Sequence, residues 1–126
     1  MKNKSRPKHL NLFKIHFPIT AVASILHRAS GAFLFLLTPL LIYYFARTLQ
    51  RPDTFASAME CLQSPLANIV FILIFWSVLH HLLMGIRFLF IDFDIGVDLK
   101  TARLSAWIVS AMAALLTIFY ISRLIS

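Results

Sequence analysis

Ser24-Ile25-Leu26-His27-Arg28-Ala29-Ser30-Gly31 stands where a basic, polar N-terminal stretch turns apolar, and no charged residue follows Arg28 until Arg47. Two further uncharged windows complete the pattern, 61–86 between Glu60 and Arg87, and 104–122 between Arg103 and Arg123. At about 1.5 Å of helical rise per residue the three windows reach roughly 27, 39 and 29 Å, against a hydrocarbon core of about 30 Å. They predict an all-α membrane protein of three transmembrane helices, over about 18–49, 65–90 and 101–123, in a single anchor domain spanning 1–126. Composition agrees. Of 126 residues, 60% are hydrophobic and 13% charged, about half the charge of a soluble domain, and the mean hydropathy is +0.81.

The formal charge is +7. A basic balance can signal nucleic acid, but the placement of the charges excludes that partner here. Lys2, Lys4, Arg6, Lys8, Lys14 and Arg28 precede or open the first helix, and Arg87, Lys100 and Arg103 flank the second loop. Only Arg47, Arg51 and Arg123 fall on the other side. This positive-inside bias puts the N-terminus and second loop in the cytoplasm, and the first loop and C-terminus outside. Cys61 is the one cysteine, so no disulfide forms within the chain; a packing role suits it. Ala21-Val22-Ala23 resembles a signal-cleavage triplet, but it precedes the apolar run that a real site would follow.

Several local signals shape the helices. Residues 1–17 are polar and basic with interspersed Leu10, Leu12, Ile15 and Phe17, which suits a segment lying on the membrane or on a partner, or else a frayed tail. Pro18 suits the first position of helix one. Pro39 cannot donate to the carbonyl of Phe35, which predicts a kink. Tyr43 and Tyr44 fit an interfacial aromatic belt. Residues 54–62 can form a short surface helix before Ser64-Pro65 restarts the chain. In helix three, Ser105, Ala106, Ser110, Ala111, Ala113 and Ala114 suit close helix packing.

Two groups of residues can carry chemistry. Ser24, His27, Arg28 and Gly31 lie at i, i+3, i+4 and i+7, one edge of a helix. Arg28 near the interface could simply snorkel to water, but Ser24 and His27 beside it are surplus to an anchor. A guanidinium pairs with carboxylates such as haem propionates, or polarises a carbonyl oxygen such as a quinone offers. On helix two, His81 and Gly85 are one turn apart, with His81 about 16 Å from the boundary at Asp92, near mid-membrane. Imidazole is a common axial ligand of haem iron, and a glycine makes room for a flat macrocycle; a buried histidine that only joins helices is the competing reading. His80 points about 100° away and cannot serve the same site; a structural role suits it best, with Arg87, lipid headgroups or a partner as other contacts. With one deep histidine on the suitable face, two-histidine ligation needs a ligand from another chain.

Taken together, these residues resemble the cytochrome b membrane subunit of succinate dehydrogenase, respiratory complex II. The resemblance rests on Arg6-Pro7, on Phe17-Pro18-Ile19-Thr20 leading into Ser24-x-x-His27-Arg28-x-Ser30-Gly31, and on His81-x-x-x-Gly85-Ile86-Arg87 followed by Asp92. It implies that His81 ligates the iron of haem b. It also implies that His27 and Arg28 meet the propionates, and that Ser24 and Arg28 border a ubiquinone pocket. The implied setting is the bacterial inner (cytoplasmic) membrane. There the chain would form half of a heteromeric anchor bundle with a second three-helix membrane-anchor subunit, which supplies the other haem ligand. An iron–sulfur subunit and a flavoprotein subunit would dock on the cytoplasmic face. One departure stands out: where the family often has a second histidine after Gly-Ile-Arg, this chain has Phe88. A haem-free structural anchor of the same complex and an unrelated membrane adaptor are the alternatives.

Overall fold

The computed structural model describes residues 16–125; the Arg6-Pro7 pair and the basic residues from Lys2 to Lys14 lie outside them. The described residues form four helices in the order α1 (Ile19–Thr48), α2 (Pro52–Leu62), α3 (Pro65–Asp92) and α4 (Leu99–Ile125). The three long helices, α1, α3 and α4, are long and apolar enough to cross a membrane. Each packs on the other two. Cross-contacts such as His27 with His81 and Phe75 with Tyr120 run α3 antiparallel to both neighbours.

Local chemistry sets the helix ends. Pro18 is the N-cap of α1 and not its first residue, with its carbonyl accepting from the Ala21 and Val22 amides at 2.9 and 3.2 Å. Pro39 sits inside α1, which is helical through to Thr48. The surface helix α2 begins at Pro52, two residues before the expected start, because Pro52 occupies its first turn. Thr54 Oγ1 donates to the carbonyls of Arg47 and Arg51, stitching α2 to the end of α1. Ser64 caps α3, accepting the Ala67 amide at 3.2 Å, with Pro65 next. Between α3 and α4 the chain reverses through two left-handed residues, Asp94 and Gly96, with φ of 60° and 76°. Asp98 then accepts the Thr101 amide at 2.9 Å, which starts α4 two residues before the expected Thr101. The same amide holds the Asp98 carboxyl below the usual carboxylate range.

The helices meet through small side chains. Ala23, Met84 and Ala106 are fully buried where α1, α3 and α4 converge, with Ile19, Phe88 and Val109 packed around them. Along α4, Ala106, Ala113 and Thr117 are buried and Ser105 and Ser110 half-buried, whereas Ala111 and Ala114 face outward. Large apolar residues such as Phe35, Leu36, Trp107 and Phe119 are exposed. That inversion is what lipid permits: tails are as apolar as leucine, so close backbone approach decides which residues go inside.

Candidate functional site

His27 on α1 and His81 on α3 meet in the middle of the α1–α3 contact. Their rings stack with centroids 4.2 Å apart and an interplanar angle of 8°. His81 Nδ1 lies 3.1 Å from the backbone carbonyl oxygen of His27. A carbonyl only accepts, so Nδ1 carries the proton and Nε2 is left with its lone pair. That nitrogen has no partner among the described residues and is not one of the polar atoms sealed in the interior.

Two glycines make the stack possible, in a reciprocal way. His27 and Gly31 are i and i+4 on α1; His81 and Gly85 are i and i+4 on α3. Each imidazole lies over the glycine of the other helix. A Cβ at Gly31 would stand 2.6 Å from His81 Cε1 and 3.0 Å from its Nδ1, and one at Gly85 would stand 3.6 Å from His27 Nε2. The first is a clash and the second ordinary contact. Gly31 is therefore the residue that His81 requires. The signal for it was present in the sequence, since both helices carry the same His-x-x-x-Gly spacing in opposite directions.

The expected edge of α1 divides. His27 and Gly31 turn toward α3. Arg28 stays exposed, its Nε donating to the Ser24 carbonyl at 3.4 Å, with no carboxylate partner among the described residues. Ser30, Thr38 and Thr48 turn their hydroxyls back onto carbonyls three or four residues earlier. Ser24 does not: its Oγ has no partner among the described residues, so its proton is available. Ser24 and Arg28 thus form an outward-facing donor pair one turn from the stacked imidazoles.

Arg87 departs from expectation, whereas His80 takes a structural place and Phe88 faces the site. His80 does not reach lipid, a headgroup or Arg87. It is 1% exposed inside the bundle, stacked on Trp76 with centroids 5.1 Å apart, and neither ring nitrogen has a partner among the described residues. Arg87 is not a boundary charge in water. It is buried, donating from Nε to Ser105 Oγ and from Nη2 to the Ala102 carbonyl, both at 2.9 Å. Phe88 faces the site, as its i+7 spacing from His81 requires, with its ring 5.1 Å from that of His27. A cavity of about 740 Å³ lies at the opposite end of the bundle, lined by Leu37, Tyr44, Arg47, Thr54 and Phe71. It holds none of the expected site residues. Cys61 lines it and is exposed on α2, so packing does not account for it.

These features define a multi-pass membrane protein whose three-helix bundle fixes the His81 imidazole against the His27 carbonyl. Comparison with known proteins narrows this class. Residues 2–120 match the family model described as succinate dehydrogenase/fumarate reductase transmembrane subunit, and the chain belongs to that family. A succinate dehydrogenase cytochrome b556 subunit from Coxiella burnetii is 37% identical over 85% of this chain and 86% of the relative. Those from Rickettsia bellii and Paracoccus denitrificans are 32% and 28% identical, covering 87% and 92% of this chain and 84% and 88% of the relatives. The donor set fits haem: a neutral imidazole, its far nitrogen anchored by a carbonyl, is the usual form of a metal-ligating histidine.

Proposed function

We propose that this chain is the haem b-binding subunit of the membrane anchor of a succinate:quinone oxidoreductase, and that it contributes to the site where ubiquinone is reduced. The observation that carries the reading is the His81 Nδ1 contact with the His27 carbonyl, which fixes the tautomer and leaves Nε2 for iron. His81 would then hold the haem iron through Nε2, with the second three-helix anchor subunit supplying a further ligand. His27 and Arg28 would meet the haem propionates. Haem b, when bound, supplies a one-electron store next to the quinone.

Succinate oxidation to fumarate releases two electrons and two protons in the flavoprotein, and the iron–sulfur subunit passes the electrons to the membrane. A quinone takes up two electrons and two protons to become quinol. Negative charge develops on its carbonyl oxygens as electrons arrive. The free Ser24 hydroxyl and the Arg28 guanidinium are donors suited to that charge, each hydrogen bond to a charged group being worth about 1.5–3 kcal/mol. This chemistry belongs on the cytoplasmic side of a bacterial inner membrane, which the positive-inside bias assigns to the end carrying Ser24.

The test is a reduced-minus-oxidised visible spectrum of the purified complex, wild type against His81→Leu. Leucine is at home in lipid, so the variant inserts, and the haem b signal is expected to fall or vanish. A full, unchanged spectrum in the variant removes the axial assignment; no haem in the wild type leaves a structural anchor.

A further inference from the structure

Phe88 lies beside the stacked histidines, and its surroundings connect them to α4. Arg87 is held by α4 through Ser105 Oγ and the Ala102 carbonyl, both at 2.9 Å. The Arg87 Cζ lies 5.4 Å from the centroid of the Phe88 ring. The Phe88 ring lies 5.1 Å from that of His27, tilted by 57°. His27 also stacks on His81, seven residues before Phe88 on α3, and its carbonyl accepts the His81 Nδ1 proton. The contacts form one unbroken series: α4, Arg87, Phe88, His27, His81.

We propose that Phe88 is a positioning residue which clamps the His27 ring against His81, with Arg87 bracing it through Ser105 of α4. Three features support the clamp. Arg87 is 6% exposed, and its Nη1 also reaches Met84 Sδ at 3.8 Å, so three groups fix the guanidinium. Phe88 packs against the fully buried cluster of Ala23, Met84 and Ala106, where the three helices are closest. His27 has two aromatic neighbours, so one ring sets its position against the other. An aromatic edge or tilted face needs no hydrogen-bond partner. It holds the imidazole by packing and excludes water from it. A histidine at 88 would bring its own polar atoms to the same place.

The consequence for His81 follows from ligand chemistry. An imidazole whose Nδ1 donates to a carbonyl is a stronger donor at Nε2 and favours oxidised iron. If the His27 segment loosens, that hydrogen bond lengthens, Nε2 donates less, and reduced iron is favoured. The clamp therefore holds the haem potential down.

The prediction rests on His81 being a haem ligand, and the experiment separates the two. In the assembled complex, haem b is titrated against redox potential and its EPR signal recorded, with thermal stability measured on the same samples. Phe88→Leu is expected to retain haem but to raise the reduced-to-oxidised ratio at a fixed applied potential by about threefold or more, where tenfold corresponds to about 59 mV for one electron. Phe88→Tyr keeps the ring and should titrate as wild type. Ser105→Ala removes one brace on α4, away from the histidines, and should shift the ratio in the same direction by less; it guards against failed assembly of Phe88→Leu. Unchanged potentials in Phe88→Leu or Ser105→Ala, or a tyrosine variant that behaves as the leucine one, overturn the clamp. A wild-type complex without haem instead overturns the assignment of His81.

Discussion

Exchanging each of two glycines for alanine separates the geometry of this site from its sequence pattern. In Gly31→Ala the new Cβ would stand 2.6 Å from His81 Cε1 and 3.0 Å from Nδ1. The first distance is a clash and the second tight, so the imidazole must shift. It then gives up its 3.1 Å hydrogen bond and its 4.2 Å stack on His27. These contribute about 0.5–1.5 kcal/mol each, and alanine returns at most about 1 kcal/mol of helix propensity. The bundle should therefore still form, with little net change in stability. With His81 as the proposed haem ligand, the shifted ring loses its fixed tautomer and direction, and loss of such an outer partner typically lowers metal affinity about 10–100-fold. In Gly85→Ala the Cβ stands 3.6 Å from His27 Nε2, an ordinary contact, and the helix gains. The assay is haem b per complex, from pyridine haemochrome absorbance, after washing with a haem-binding protein. Gly31→Ala should lose haem far faster than Gly85→Ala. Equal retention by the two variants, or greater loss from Gly85→Ala, would refute the reciprocal seating of the two rings.

Ser24→Ala removes an unpartnered donor without adding bulk, so quinone reductase turnover should fall tenfold or more, about 1.4 kcal/mol per decade, while succinate oxidation with an acceptor that bypasses the quinone persists; parallel behaviour of the two activities excludes a quinone role. His80→Phe replaces a buried imidazole whose nitrogens have no partner among the described residues by a ring that can still stack on Trp76. It should retain haem and leave the complex at least as heat-stable, since an unsatisfied buried polar group costs about 1–3 kcal/mol; loss of haem would place His80 in the site. A reporter active only in the cytoplasm, fused after Ser126, should be inactive, and an active fusion would reverse the orientation of Ser24 and Arg28.

The sequence by itself determined the three spans and the start of α3, and it singled out His81. Uncharged runs and their flanking arginines are one-dimensional quantities, and a bilayer reads them one segment at a time. Caps such as Ser64-Pro65 are equally local, which is why α3 starts at the expected residue, while Asp98, not weighed as a cap, moved the start of α4. His81 stood out because an ionisable group in an apolar run is costly wherever it points.

What the sequence could not determine is which way each helix faces. In a soluble protein an apolar stripe marks the buried face. Helices α1, α3 and α4 are apolar all round, so no stripe exists, and lipid and protein interior are equally acceptable to Phe35 or Leu36. Only packing chose. Small residues at Ala23, Ala106 and Ala113 let the backbones approach, and that choice rotated everything else. It carried His80 into the bundle and turned Arg87 from the boundary onto α4. It also seated His81 over Gly31 instead of leaving Gly85 as its open space. These outcomes depend on atoms from two or three helices lying within a few ångströms of one another, a relation that exists only once α1, α3 and α4 have packed.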